Sequence, residues 1–291
     1  MKTKKALSIS ADVAVILLFV YFLIFPNYAS EPTRQALYFC GNTLIPSLFI
    51  YMVLAKRALS SPIVERVIGR LGYEPLLFLL GSLCGAPIGA KLATELYKNG
   101  RTTKKYSEYL TSFSNNASIS FVIGYVGSGL YGDARVGIRF FIFQLLSTGL
   151  TAVIMRYVIF GKAKPKLEFV SSAKRSNLSE SISDSARTII SLCACVIFFI
   201  VAGSAISNTL SLNGTADALL RSFLEFSSGC AAASDAGIYS LPITAFSLGF
   251  TGCSVAMQVK SVTEGRLSMV PYFTGKTIGC TIFTLLVIIF G

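Results

Sequence analysis

Long apolar stretches separated by short basic segments make up most of this sequence of 291 residues. The hydrocarbon core of a bilayer is about 30 Å thick, so a helix of about 20 apolar residues can cross it. Only 14% of the residues are charged, whereas soluble domains carry about a quarter. The pattern predicts an all-α polytopic membrane protein with about six full transmembrane helices, at residues 11–25, 36–55, 109–131, 136–160, 189–208 and 269–290.

Basic residues concentrate in the segments between the apolar stretches and give a net charge of +12. In membrane proteins such segments mark cytoplasmic loops and contact anionic lipid, so we expect lipid contacts and no nucleic-acid partner. Residues 1–5 are basic, and residues 161–187 form the most basic linker. We therefore predict a multi-pass membrane protein with cytoplasmic N- and C-termini.

Histidine is absent, which excludes histidine metal sites, histidine proton relays and Ser-His-Asp catalysis. The seven cysteines lie in or beside apolar stretches without a C-x-x-C pair, which favours small buried hydrophobes over disulfides or zinc ligands. A Walker A pattern is also absent. We predict that the protein is not an enzyme and uses no cofactor, while Na⁺ or H⁺ as a coupling ion remains open.

Two glycine-interrupted apolar stretches resemble each other. Residues 81–101 read GSLCGAPIGAKLATELYKNGR, and residues 249–266 read GFTGCSVAMQVKSVTEGR. Their alignment puts Lys91 opposite Gln258. Non-helical backbone at membrane depth is tolerated only where protein or a water-filled cavity surrounds it, so paired interruptions favour a transport site. The alternative is that the small residues line tight contacts between helices.

The interruptions predict two re-entrant hairpins, at about residues 75–97 and about residues 220–262. Counting the spans between them places the first hairpin on the cytoplasmic side and the second on the outer side. The chain would then consist of two inverted repeats, 1–131 and a second one that opens with 132–160 and continues, after the linker, in 188–291. Inverted repeats generate alternating access when the two halves exchange conformations.

Lys91 is the single residue that most strongly indicates a functional site, because it is charged and lies close to the first interruption. A charge within the membrane costs about 3 kcal/mol on insertion scales and is normally paired or functional. One interpretation is that Lys91 holds an anionic substrate, helped by free N–H groups at the helix break. Pairing with Glu95 four residues later, or extension of the side chain to the cytoplasm, is the alternative.

Other polar residues lie near both interruptions. Asn115 and Asn116 suit an unwound stretch that lines a cavity, although Ser112 or Ser114 could instead cap a helix there. Glu225 precedes a Ser-Ser-Gly break, where it would pair with Lys91 or coordinate a coupling cation. The predicted substrate-binding residues are Gly85, Pro87, Gly89, Lys91, Ser114, Asn115, Asn116, Ser118, Glu225, Ser227, Ser228, Thr251, Gly252, Ser254 and Gln258.

Several of these residues form motifs: G-x-P-x-G-A-K-L at residues 85–92, Leu-Tyr-Lys-Asn-Gly at 96–100, Ser-Asn-Asn at 114–116, Leu-Glu at 224–225 and Gly-x-Ser-x-x-x-Gln at 252–258. With them the chain resembles, over most of its length, the YlbJ-type sporulation integral membrane proteins, which contain the nucleoside-recognition or gate domain. The resemblance implies a fold similar to concentrative nucleoside transporters, a location in the bacterial cell membrane, and a role in moving dipicolinate during endospore formation in Gram-positive bacteria. It also favours a homo-oligomer. Thr-Gly-Cys-Ser at 251–254 departs from the expected Gly-Gly-x-Ser, which leaves the substrate open.

The leading functional prediction is a secondary transporter of a small anionic or aromatic solute, similar to dipicolinate. A nucleoside or nucleobase carrier is the alternative in the same class, with Asn115, Asn116, Gln258 and Glu225 reading base and ribose. A non-transporting membrane scaffold in sporulation is the alternative from another class.

Overall fold

The computed structural model describes residues 2–59, 61, 72–161 and 177–291, and its secondary structure there is helical. Residues 162–176, which contain most of the predicted basic linker, lie outside the described residues. Across the described ranges the prediction of an all-α protein is confirmed.

The described residues before 162 form seven α-helices and two π-helical segments. In chain order they are α1 (Lys2–Ile24), α2 (Asn27–Phe39), a π-helical turn (Cys40–Leu44), α3 (Ile45–Leu59), α4 (Glu74–Leu83), α5 (Ile88–Lys98), α6 (Lys104–Phe113), a π-helix (Ser120–Leu130) and α7 (Ala134–Phe160). Polar residues define several of the starts. Thr103 accepts the Tyr106 N–H at the beginning of α6, and Asp133 accepts the Arg135 N–H at the beginning of α7.

The second part follows residue 177 with six α-helices. They are α8 (Leu178–Thr209), α9 (Gly214–Leu224), α10 (Phe226–Ser234), α11 (Ser240–Phe250) after a short 3₁₀ turn, α12 (Gly252–Thr263) and α13 (Met269–Phe290). Asn177 and Glu180 form a capping box that satisfies two free N–H groups at the start of α8. The short breaks between α9 and α10 and between α11 and α12 lie in the region predicted to form the second hairpin.

Among the described residues, five helical segments are long and apolar enough to cross a membrane: Asn27–Ala58, Ala134–Phe160, Leu178–Thr209, Gly237–Thr263 and Met269–Phe290. Large apolar side chains on their outer faces are exposed, as expected for surfaces that contact lipid, among them Val153, Ile190 and Ile289. These features support a multi-pass membrane protein.

Four of the six predicted spans, 36–55, 136–160, 189–208 and 269–290, lie within these segments. Residues 109–131 do not form one helix, because the polar run at residues 114–118 separates α6 from the π-helix. The predicted span at residues 11–25 overlaps α1, of which Val15–Ile24 is a shorter apolar helix among the described residues. Gly237–Thr263, predicted as part of a hairpin, is long enough to cross the membrane although it is broken at Thr251. The prediction of one continuous span at residues 109–131 is therefore wrong.

The same order of elements occurs twice. A long helical segment, a pair of short helices, a broken helix and a second long helix follow one another before residue 161 and again after residue 177. Residues 81–101 fall on the first pair of short helices, whereas residues 249–266 fall on the second broken helix. The alignment of these two stretches therefore does not follow the order of the helices.

The core packs the short helices inside the long ones. Leu77, Tyr106 and Met155 belong to one buried cluster, and Phe121 and Phe283 to another. All seven cysteines are free, and Cys40, Cys84, Cys230 and Cys280 are buried. Helix α12 packs against α5 and α8, while α8 also packs against α3. These four helices enclose the candidate site.

Candidate functional site

A polar cavity of about 330 Å³ lies between α3, α5, α8 and α12. Pockets that bind small molecules begin at about this size. Lys91 on α5 and Gln258 on α12, which the sequence alignment had placed opposite each other, both line it. The other polar lining residues are Lys56, Thr94, Glu95, Lys98, Asp184, Arg187, Thr188, Ser191, Ser261 and Glu264.

Asp184 on α8 joins two lysines inside this cavity. Its Oδ2 lies 2.6 Å from Lys91 Nζ and 2.6 Å from Lys56 Nζ. Lys91 also donates to the Thr188 hydroxyl, and Lys56 lies 3.4 Å from Glu95 Oε1. Lys91 is therefore paired with Asp184, and Glu95, its partner in the alternative interpretation, is paired with Lys56.

Sequence reasoning missed Asp184 for a physical reason. It lies 93 residues after Lys91, and the two come together because α8 packs against α12, which in turn packs against α5. A carboxylate at the beginning of a long apolar helix is also a common N-terminal feature that carries no functional signal by itself. Its distinguishing property, contact with two lysines, exists only in the folded chain.

Four cationic and three acidic residues line the cavity, which leaves an excess of one positive charge. At the rim, Lys98 Nζ lies 3.0 Å from Glu264 Oε1, and Arg266 Nε lies 3.2 Å from Glu264 Oε2. These two cations hold the pKa of the Glu264 carboxyl below its ordinary value. Deeper in, Lys56 and Lys91 face the carboxylates of Asp184 and Glu95, two charges of each sign, so the excess positive charge of the lining comes from Arg187.

Residues 84–87 form the turn between α4 and α5, here called the tip. The tip and the first turn of α5 donate hydrogen bonds to Asn115 and Asn116, in the polar run that follows α6. The Ala86 N–H donates to Asn116 O at 2.7 Å, and the Ala90 N–H donates to Asn115 Oδ1 at 2.9 Å. Asn115 is buried, and its Nδ2 donates to Thr111 O at 2.9 Å. Residues 115–118 are not helical, as the unwound interpretation requires. Asn115 fastens the tip by hydrogen bonds and does not line the 330 Å³ cavity.

Replacing Asn115 with alanine is expected to destabilise the fold. The change removes the acceptor of the buried Ala90 N–H, and a buried donor without a partner costs about 1–3 kcal/mol. Thermal unfolding of the detergent-solubilised variant should show a lower midpoint than the wild type. Asn42→Ala is a suitable control, because Asn42 is exposed and only donates to the carbonyl of Tyr38. Equal midpoints for the two variants would contradict the fastening role.

Glu225 is fully buried at the break between α9 and α10. Its carboxylate accepts the N–H groups of Ser227 at 3.0 Å and Ser228 at 2.8 Å, together with the Ser227 hydroxyl. These bonds satisfy free donors at the start of α10. Glu225 is thus a helix cap, and the expected pairing with Lys91 is absent because Lys91 is bound to Asp184.

The break between α11 and α12 lies close to Glu225, the residue that caps α10. Thr251 and Gly252 both have positive φ, at 63° and 73°. A side chain on Gly252 would meet the Leu224 carbonyl, so only glycine allows this close approach. Ser254 Oγ accepts a hydrogen bond from Gln258 Nε2 at 3.2 Å and so orients Gln258 toward the cavity region.

The predicted site residues separate into three groups. Pro87, Lys91 and Gln258 line the 330 Å³ cavity. A smaller cavity of about 20 Å³ between the breaks is lined by Gly85, Asn116, Ser118, Thr251 and again Gln258. Neither lining contains the remaining predicted residues, which are Gly89, Ser114, Asn115, Glu225, Ser227, Ser228, Gly252 and Ser254.

Comparison with known proteins agrees with the membrane architecture. The chain is 22% identical to the sporulation integral membrane protein YlbJ of Bacillus subtilis (strain 168), in a match that covers 86% of this chain and 74% of that protein. This similarity confirms the resemblance inferred from the sequence motifs. No family model matches the chain. No solved structure matches it either.

Proposed function

We propose that this protein is a secondary membrane transporter of a small anionic or aromatic solute similar to dipicolinate. The observation that carries the proposal is the pair of ammonium groups, Lys56 and Lys91, on the wall of a cavity large enough for such a solute. Dipicolinate is a planar dicarboxylate, and charge-assisted hydrogen bonds from ammonium groups are among the stronger polar contacts in proteins.

Asp184 supports this assignment because its carboxylate shows what the two lysines bind. A single oxygen of Asp184 lies 2.6 Å from each ammonium nitrogen. A substrate carboxylate of the same charge and geometry fits the same position. In this proposal the substrate displaces Asp184 from the lysines, and Asp184 returns when the substrate leaves.

The surroundings of the cavity support alternating access. Gln258 and Leu192 line both the 330 Å³ cavity and the 20 Å³ cavity that lies between the helix breaks. Non-helical backbone at such a place is typical of transport sites formed by interrupted helices, and the repeated order of elements agrees with inverted repeats and re-entrant hairpins. Lys98 lies at the rim of the 330 Å³ cavity, and Lys104 follows it in the sequence. Basic residues at this place favour a cytoplasmic opening and cytoplasmic termini.

A nucleoside or nucleobase carrier is less well supported by the geometry. Of the four residues assigned to base and ribose, only Gln258 lines the larger cavity. Asn115 fastens the hairpin tip, Asn116 lies on the smaller cavities, and Glu225 caps a helix.

Uptake into proteoliposomes tests the proposal. Purified protein should accumulate labelled dipicolinate in preference to uridine, and unlabelled dipicolinate should compete better than a neutral heterocycle. Preference for uridine would support the nucleoside alternative. Absence of flux of either solute, together with a stable co-purifying protein, would support the scaffold alternative.

Asp184→Asn is expected to strengthen anion binding. The variant removes the internal carboxylate that competes for Lys56 and Lys91, while the amide can still accept one hydrogen bond. We expect the half-saturating concentration of dipicolinate to fall by roughly tenfold, which corresponds to about 1.4 kcal/mol. Concentration-dependent uptake measures it, with Asp217→Asn as a control because Asp217 pairs with Arg221 away from the cavity. A higher half-saturating concentration in Asp184→Asn would contradict displacement.

A further inference from the structure

Lys276 is a second lysine at membrane depth, and the proposed anion site does not use it. It lies on α13 with 6% of its surface exposed. Together with Asn116, Gln144, Thr148 and Gly249 it lines a cavity of about 20 Å³, about the size of one water molecule. No carboxylate belongs to this lining, so the amine is separated from the acidic residues of the described chain. Intramembrane ionisable residues of this kind are rare and usually functional.

The wall around Lys276 presents oxygen acceptors. The hydroxyls of Ser112, Ser147 and Thr151 donate their hydrogens to backbone carbonyls at 2.7–2.9 Å, which leaves their lone pairs available. Gln144, only 2% exposed, donates its Nε2 hydrogen to Ala117 O at 3.0 Å. Its Oε1 is buried and has no hydrogen-bond partner among the described residues. An anion would need donors at these positions, whereas a cation is matched by acceptors.

The carboxyl end of α11 contributes a further oxygen acceptor near Lys276. Lys276 Nζ donates to the carbonyl of Gly249 at 3.5 Å. Gly249 lies in the last turn of α11, just before the break at Thr251, where free carbonyls carry the negative end of the helix dipole. In transporters with interrupted helices, half-helix carboxyl ends and unwound carbonyls coordinate the coupling cation. Hard cations such as Na⁺ prefer a ligand set of this kind, composed of oxygen atoms.

We propose that the ammonium of Lys276 fills a cation site at the end of α11 and takes the place of an exchangeable Na⁺. The inference rests on the proposed transport function in one respect, namely that the tethered cation makes solute movement independent of Na⁺. Its structural content is independent of the substrate. Removing the side chain should leave an oxygen-lined cavity that binds a free monovalent cation.

Thermal unfolding of the purified full-length protein tests the site directly, at constant ionic strength in NaCl, KCl or choline chloride. The wild type should melt at the same temperature in all three salts. Lys276→Ala should melt lower in choline and recover by a few °C as Na⁺ or K⁺ is added, with saturation, because a ligand that binds only the folded state stabilises it. Lys260→Ala is the matched control, since Lys260 is exposed on α12 and its removal creates no buried cavity.

A saturable rise in wild-type melting temperature with Na⁺ would overturn the proposal, as would a Lys276→Ala variant that responds equally to Na⁺ and choline. If Lys276→Ala does not fold, the melting temperatures of the wild type in the three salts still test the cation site. Dipicolinate uptake by the wild type should continue when Na⁺ is replaced by choline, and uptake that requires Na⁺ would refute the tethered cation. Complete absence of flux in every salt would instead count against the transport function. The melting temperatures would still test the cation site independently.

Discussion

Lys91→Ala is expected to lower dipicolinate uptake by roughly 100-fold while the protein still inserts and folds. Loss of one partner of a desolvated, charge-assisted contact typically costs 2–5 kcal/mol, and about 3 kcal/mol corresponds to this factor. Initial uptake rates in proteoliposomes, normalised to the amount of inserted protein, measure the effect.

The fold should tolerate this change because Asp184 keeps a second partner. Lys56 Nζ remains 2.6 Å from Asp184 Oδ2 after Lys91 is removed, so no carboxylate is left unpaired. The Lys91 side chain is 14% exposed at the wall of an open cavity, where water can replace it. Expression level and elution from a sizing column should therefore match the wild type.

Lys98→Ala is the control for charge alone. Lys98 lines the same cavity, but its side chain is 40% exposed at the rim and pairs with Glu264, which is 50% exposed. Exposed ion pairs contribute little, about 0–1 kcal/mol, so uptake should change by no more than a few-fold. Normal uptake by Lys91→Ala would remove the anion site from the proposed function, and equal losses in both variants would reduce it to a general effect of positive charge.

The sequence predicted the helical membrane class and the polar break well because both follow from local patterns. Apolar length and basic flanks are properties of contiguous residues, as in α7 and α13. Asn115 and Asn116 disfavour helix wherever they occur, and the chain is unwound there. These features need no knowledge of tertiary contacts.

Pairings between distant segments were harder to predict. Lys91 has Glu95 on its own helix, and spacing made that pair one of the two alternatives, yet the folded chain pairs Lys91 with Asp184 of α8. Glu225 looked like a membrane carboxylate in need of a cation, but the N–H groups of the next turn satisfy it. Lys276 escaped notice because a lysine near the start of a long apolar helix looks like an interfacial residue until packing buries it. Each error assigned a side chain to a neighbour in sequence or to a ligand, whereas the folded chain supplied a nearer partner.

Gly89→Ala, a single methyl addition in the first turn of α5, is expected to destabilise the protein strongly. A Cβ at Gly89 would lie inside van der Waals contact of the Ser114 carbonyl oxygen, which belongs to the backbone and cannot rotate away. We expect a cost of about 3 kcal/mol, at the upper end for overpacking, and a fall in melting temperature of roughly 6–12 °C. Gly41→Ala is the control, because nothing lies within 4 Å of a Cβ built there.

The outcome separates two roles of the small residues near the first break. If Gly89 serves close packing of α5 on residue 114, the loss appears in the melting temperature before any solute is added. A conformational role limited to transport would leave the melting temperature unchanged and lower only the uptake rate. Because Asn115 binds the next residue of α5, Ala90, at 2.9 Å, the clash at Gly89 also strains that hydrogen bond. The two losses should therefore be less than additive in the double variant Gly89→Ala with Asn115→Ala, as expected for residues that share one contact.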